Sequence, residues 1–210
     1  MTSSSDGQLL AAFAAGDAAA FATLVQSHQA ALLRHARAVL GNGSPYEDVV
    51  QETFLKLAQK PPSLARDVLG DPALERAQLS SWLHTVTRNL CMDVARSETR
   101  RKRREQEASA VEAAGGGLEV LDEIDTRSVV EKQLNRLPSE QREVLVLRLL
   151  GERSYKEIAE ITGKKIGTVG WLVSVGLKTL SRELAPILDG VSRGGVEQTN
   201  AGPGLAQGGL

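Results

Sequence analysis

Ser80 to Arg104 reads SSWLHTVTRNLCMDVARSETRRKRR, an amphipathic helical pattern that runs straight into a cluster of positive charge. At 100° per residue, Leu83, Thr87, Leu90 and Val94 fall on one stripe, the spacing of a helix packed on a core. Trp82, Thr85, Asn89, Asp93 and Arg96 point elsewhere. An aromatic ring and an amide on an outward face, followed by Arg100, Arg101, Lys102, Arg103 and Arg104, suit nucleic acid. The ring offers a stacking surface, the amide reads base edges, and the cations meet phosphate. The same residues also suit a core tryptophan, an ordinary surface amide and a solvated basic helix end favoured by the macrodipole. The surrounding chain has to decide between the two.

Composition narrows the fold class. The 210 residues are 41% hydrophobic and 24% charged, which leaves room for one large or two small domains. Aromatics make up only 3%, so the core is mostly Ala, Leu and Val. Few Gly or Pro interrupt the periodic segments, and no strand pattern stands out, so helices packed on helices are expected. A single cysteine, Cys91, forms no internal disulfide and offers no metal cluster, which fits a reducing cytoplasm. No signal peptide and no apolar run of membrane-spanning length is visible, so a soluble intracellular protein is expected. Net charge is only -1, but the basic residues gather at 96 to 104 and acidic ones follow directly.

Upstream, Gln8 to Ala15 reads as a short helix. Gly16-Asp17 then breaks the chain and caps a longer helix to about Leu40, with Phe21, Leu24, Val25, Leu32, Ala36 and Val39 inward. His28 and His35 lie on it without partners for a metal site and read as surface or rim residues. Gly41 to Pro45 ends the helix. Tyr46 to Ala58 follows, with Val50, Phe54 and Leu57 as the core stripe and Asp48, Gln51, Glu52 and Leu55 opposite. Leu55 amid an acidic and amide face suits a protein partner, though a lone exposed leucine is also ordinary. Lys60 to Gln78 reads as a loop with one short helical piece, and Ser80 or Ser81 as the cap of the next helix.

Downstream, Glu105 to Glu131 carries eight acidic residues against one basic, with Gly115 to Gly117 in the middle, and reads as a flexible acidic linker. Those glycines lack the lysine and following helix of a phosphate-binding loop. Val129, Val130, Leu134 and Leu137 then share a stripe, Pro138 starts a helix, and Val144, Leu145, Leu147 and Leu149 continue the core. In SYKEIAEITGKKIGTVGWLVSVGLKTLSREL, a short helix with Ile158 and Ala159 inward turns at Gly163 and restarts at Thr168. That is the pattern of a helix-turn-helix, with an ordinary helical hairpin as the alternative. From Asp189 the chain is glycine-rich and reads as a disordered tail.

Four segments in this order resemble bacterial RNA polymerase sigma factors of the sigma-70 family, in particular the two-domain extracytoplasmic-function (ECF) type. GDAAAFATLVQSHQAALLRHARAVLG is similar to the family's opening helix and YEDVVQETFLKL to its polymerase-clamp helix. The Ser80 to Arg104 stretch resembles the helix that opens and reads the minus-ten element, and LPSEQREVLVLRLLGERSYKEIAEITGKKIGTV the minus-thirty-five domain. The resemblance implies an all-α chain of two small domains, 1–104 and 129–186, with a linker at 105–128 and a tail at 187–210. It implies core polymerase binding by Asp48, Gln51, Glu52 and Leu55. It places Trp82 and Asn89 where the non-template strand is unstacked and a base is held outside the helix, with Arg96 and Arg100 to Arg104 along the phosphates.

One departure stands out. After Gly167-Thr168-Val169 the family usually continues Lys-Ser-Arg, with another Arg three residues on, whereas this chain has Gly170, Trp171, Leu172 and Val175. On a helical wheel Trp171, Ser174 and Lys178 point away from Val169, Val173, Gly176 and Leu180. Base reading is therefore expected from those three, with Thr168 beside them and Lys164, Lys165 and Arg182 on phosphate. The resemblance further implies promoter DNA and an anti-sigma protein as partners, a monomeric free protein, and no cofactor, metal or catalytic residue. A helix-turn-helix regulator acting without polymerase, or a sigma-like interaction module that no longer reads promoters, would fit parts of the same sequence.

Overall fold

The structure, a computed structural model, describes residues 4–41, 43–108 and 126–194, and among these no strand occurs. Helix α1 (Asp6–Ala14) is closed by a capping box in which Ser5 Oγ accepts from Gln8 N–H and the Gln8 side chain accepts from Ser5 N–H. Asp17 Oδ1 then accepts from Ala19 and Ala20 N–H at 2.9 and 3.3 Å and starts α2 (Ala18–Leu40), as the Gly16-Asp17 break predicts. Gly41, at φ +85°, ends α2, and α3 (Tyr46–Gln59) follows. The fourth helix, α4 (Pro72–Ala108), spans 37 residues.

Two expectations change at α4. Its cap is Asp71, whose Oδ1 accepts from Ala73 and Leu74 N–H, with Pro72 in the first helical position where its missing N–H costs nothing. Ser80 and Ser81 lie two turns inside, and Ser80 is buried. At its far end the helix runs past residue 104 to Ala108, four residues into the expected linker. Of the rest of that linker, 109–125 lie outside the described residues, and 126–128 are helical and open the second half, three residues before the expected boundary at 129.

Helices α1 to α4 enclose one core of Leu24, Leu32, Ala36, Val50, Phe54, Leu57, Leu79, Leu83 and Cys91. Thr53 Oγ1 and Thr87 Oγ1 meet at 3.1 Å where α3 crosses α4, both hydroxyls buried and in reach of a carbonyl four residues back. His28 and His35 are core residues, contrary to the reading that placed them on the rim. His28 Nε2 reaches Asp6 Oδ2 of α1 at 2.9 Å, both side chains buried, and His35 faces His84 of α4. Each imidazole enters the core with one ring nitrogen in contact with a partner from another helix.

The second half comprises α5 (Thr126–Arg136), α6 (Ser139–Leu145), a π-helical turn (Val146–Leu150), α7 (Tyr155–Thr162) and α8 (Ile166–Gly194). Leu134, Leu137, Val144, Leu145, Leu147, Ile158, Val169, Val173 and Leu180 form its core, with Val130 and Ala159 packed against it. Leu149, expected inside, is 48% exposed. The π turn explains it: Gly151 N–H bonds to Val146 O, five residues back, and the extra residue rotates the chain that follows. Gly163 takes the left-handed φ of +68° and turns α7 into α8. Helix α8 starts two residues before Thr168 and continues through Pro186 to Gly194, beyond the residue 187 where the tail was expected. Leu184, Ile187, Leu188 and Val191 keep helical spacing there, so the glycine count from 189 onward misled. Residues 195–210 lie outside the described residues.

The halves pack on one another. Ala38 of α2 belongs to the second core, and Arg142 Nε donates to Ala38 O at 2.6 Å. Helix α7 lies against α4.

Candidate nucleic-acid and protein interfaces

Helix α3 has a clear division of faces. Val49, Val50, Thr53, Phe54 and Leu57 are buried, while Asp48, Gln51, Glu52 and Leu55 are exposed. Leu55 is 54% exposed. It stands at the rim of a groove of about 520 Å³ between α2 and α3, lined by Phe21, Val25, Gln29 and Leu33 on one side and Val50, Gln51, Phe54 and Leu55 on the other. Glu47 also lines the groove, and Asp48 and Glu52 lie on the same exposed side of α3. Sequence reasoning found the α3 side and missed the α2 side. The signal was present: Phe21, Val25, Gln29 and Leu33 repeat every four residues beside the buried Leu24, His28 and Leu32, so the apolar surface of α2 is wider than one core contact needs.

On α4, Trp82, Asn89 and Arg96 are spaced by seven residues and so stand on one side, roughly 10 Å apart along the axis. Asn89 is exposed, and Arg96 is exposed and paired with Asp93 at 3.2 Å. Trp82 is half-buried against the first core, with part of its ring left accessible. Arg100, Arg101 and Arg104 are exposed on the following turns, and Arg104 Nε donates to Arg100 O. The side chains of Lys102 and Arg103 lie outside the described residues. One continuous helix thus carries a ring, an amide and a series of guanidiniums in a fixed line.

Arg88, which the sequence reading did not single out, points the other way. Its Nε donates to Glu143 Oε1 of α6 at 2.8 Å. Glu143 is buried between the halves, with His35 Nε2 3.5 Å away. Burial alone would raise its pKa; the His35 and Arg88 partners outweigh that and hold it below the usual carboxylate range. His35 Nδ1 meets His84 Nδ1 at 3.0 Å. Burial, and next the neighbouring His35 charge, press the His84 pKa well below its ordinary value.

In the second half, Lys165, Thr168, Trp171, Ser174, Lys178 and Arg182 are all exposed on α8 or the turn before it, opposite the buried Val169, Leu172, Val173, Gly176 and Leu180. Lys164 differs from them: it is largely covered and paired with Glu140. Arg182 is paired with Glu183. Among the described residues no group of three or more His, Cys, Asp or Glu is placed to hold a metal ion, and no helix is long and apolar enough to cross a membrane.

Family models described as Sigma-70 region 2 and Sigma-70, region 4 match residues 24–101 and 127–180. The chain is 29% identical over 188 residues to the ECF RNA polymerase sigma factor SigM of Mycobacterium tuberculosis, covering 90% of this chain and 89% of the relative. It is 31% identical over 183 residues to SigL of the same organism, covering 86% of this chain and 96% of the relative. Among solved structures, the sigma factor RpoE in complex with the anti-sigma factor NepR from Bartonella quintana superposes with a TM-score of 0.58 at 26% identity, covering 79% of this chain and 96% of that one. CnrH in complex with the cytosolic domain of CnrY superposes with a TM-score of 0.54 at 25% identity, over 85% of this chain and 96% of that one.

Proposed function

Because this chain belongs to the ECF RNA polymerase sigma factors, we propose that it binds core RNA polymerase and directs it to specific promoters, in the cytoplasm and without covalent chemistry of its own. The observation that carries this reading is the arrangement of the first half: the Asp48, Gln51, Glu52 and Leu55 face borders an apolar groove on α2 and α3, and the packed α4 carries the Trp82, Asn89 and Arg96 line. Leu55 and the groove offer apolar area for a polymerase helix, and the acidic rim favours one that is basic. In this reading Trp82 stacks on an unstacked base, Asn89 bonds a base edge, and Arg96 with Arg100 to Arg104 follows the phosphates. The second half holds the upstream duplex through the exposed side of α8. An anti-sigma protein is a further proposed partner, in keeping with the RpoE relative solved with NepR. The two functional units take the bounds of their helices, 6–108 and 126–194.

Reconstitution of the full chain with core polymerase tests this by run-off transcription. Leu55→Asp is expected to abolish polymerase binding and transcription together. Asn89→Ala is expected to keep polymerase binding and lower open-complex formation about ten-fold, the loss of one base-edge contact. Polymerase binding by the wild type without initiation from any promoter would overturn the reading in favour of an interaction module.

A further inference from the structure

The outward side of α8 carries an apolar plate where a recognition helix meets base edges. Trp171 is 61% exposed and Ile166 53% exposed, although the opposite side of the helix is packed in the second core. From Ile166 to Trp171 the sequence is IGTVGW, so no cation rises from the first six residues of the helix. The Tyr155 ring closes the plate from α7: a Cβ added at Gly170 would stand 3.7 Å from Tyr155 Cε2. Cations adjoin this surface along the chain: Lys156 follows Tyr155, Lys165 precedes Ile166, and Lys178 lies two turns beyond Trp171. Arg148 lies 5.5 Å from the Tyr155 ring centroid, and with Lys164 held by Glu140 and Arg182 by Glu183, Lys156, Lys165 and Lys178 are exposed.

An apolar plate adjoined by cations complements a polyanion that offers apolar groups at the centre of its contact. Duplex DNA does so at thymine, whose C5 methyl projects into the major groove, whereas the bidentate reading of guanine O6 and N7 is made by an arginine or lysine, and none rises from the plate. We infer that α8 reads thymine methyl groups through Trp171, so that the upstream promoter element of this protein is set by its thymines and not by guanine. Thr168 and Ser174 are the neighbouring hydroxyls able to bond base edges. The inference rests on the promoter-binding reading above and adds the base preference to it.

The test uses the full chain with core polymerase on a promoter library randomised through the upstream element. Thymines are expected to be enriched there. Replacing each by deoxyuridine, which removes only the methyl, should lower open-complex formation about three- to four-fold per contacted base. Trp171→Ala should abolish the sensitivity to deoxyuridine while polymerase capture is unchanged, and Trp171→Phe should retain part of it. Enrichment of guanine, or wild-type transcription that ignores the methyl, overturns the inference. A Trp171→Ala variant that loses polymerase capture instead assigns the surface to a protein contact and also overturns it. Failure of the wild type to initiate at all defeats the promoter-binding reading itself, a result distinct from initiation without upstream preference.

Discussion

His84 shows how a single side chain ties stability to pH. Its imidazole is 1% exposed, beside the equally buried His35. His35 Nδ1 lies 3.0 Å from His84 Nδ1, and His35 Nε2 lies 3.5 Å from Glu143 Oε1. Protonating His84 would put a second cation into this pocket. Burial is the largest reason it resists, followed by the charges of His35, Arg153, His28 and Arg34. A histidine whose folded pKa is depressed binds its proton better when unfolded, so its contribution is complete above the unfolded value near 6.5 and is lost as pH falls below it. The slope is at most about 1.4 kcal/mol per pH unit. Glu143, also depressed, contributes above about 4.5 and declines at lower pH, so it leaves the upper window to His84. Urea unfolding is therefore expected to shift to lower midpoints between pH 7 and pH 5.5, and His84→Leu should flatten that slope even where it lowers stability overall. An unchanged slope would place the titration elsewhere. None of this pocket was legible in the sequence, because a histidine on an amphipathic helix reads as polar, and the partners of His35, His84 and Glu143, lie 49 and 108 residues from it in sequence. The exposure of most candidate residues was legible, because the outward stripes of α3, α4 and α8 follow from periodicity, whereas the roles expected of them came from the family resemblance.

Among the elements, α7 depends most on its ends. It has eight residues, too few to be stable alone. Ser154 Oγ accepts Glu157 N–H at 3.2 Å and Glu157 Oε2 accepts Ser154 N–H at 2.8 Å, while Arg153 bonds the same carboxylate at 3.0 Å. Partial burial would raise the Glu157 pKa, but the Ser154 bonds and Arg153 outweigh it and lower it. Ser154→Ala is expected to cost about 1 kcal/mol, and Gly163→Ala, at φ +68°, about as much or more, both measured by urea unfolding. Such caps explain which boundaries could be read. Asp17, Gly41 and Gly163 mark their helix ends with residues whose chemistry is local. The start of α4 is hidden within Lys60 to Gln78, where Pro61, Pro62, Gly70 and Pro72 read as a loop, although Asp followed by Pro also begins helices. The π turn that exposes Leu149 leaves no mark in the periodicity before it, since a one-residue shift becomes visible only in the packing of both sides.

At the scale of the whole molecule, the two halves are held together by a charge from one buried in the other. Glu143 of α6 is 4% exposed and takes Arg88 of α4 at 2.8 Å, with Arg142 on Ala38 O and Arg34 on Leu150 O alongside. The side chain of Arg88 is 19% exposed, so the two partners of the pair are not equivalent. Without Arg88 the carboxylate stays buried with only the distant His35 nitrogen near it; without Glu143 the guanidinium has a path to water. Arg88→Met should therefore destabilise the chain by more than Glu143→Leu, with the former approaching about 3 kcal/mol. Once both are replaced, no charge is stranded, and the double variant should be more stable than Arg88→Met alone, a coupling that a double-mutant cycle in urea reads directly. Small-angle scattering supplies the geometric side: Arg88→Met is expected to enlarge the radius of gyration as the halves part to hydrate Glu143, and the double variant to restore it. Equal single costs with no coupling and no change in radius would mean that the junction is held by the Ala38 contact and the Arg142 bond, with Glu143 a passenger.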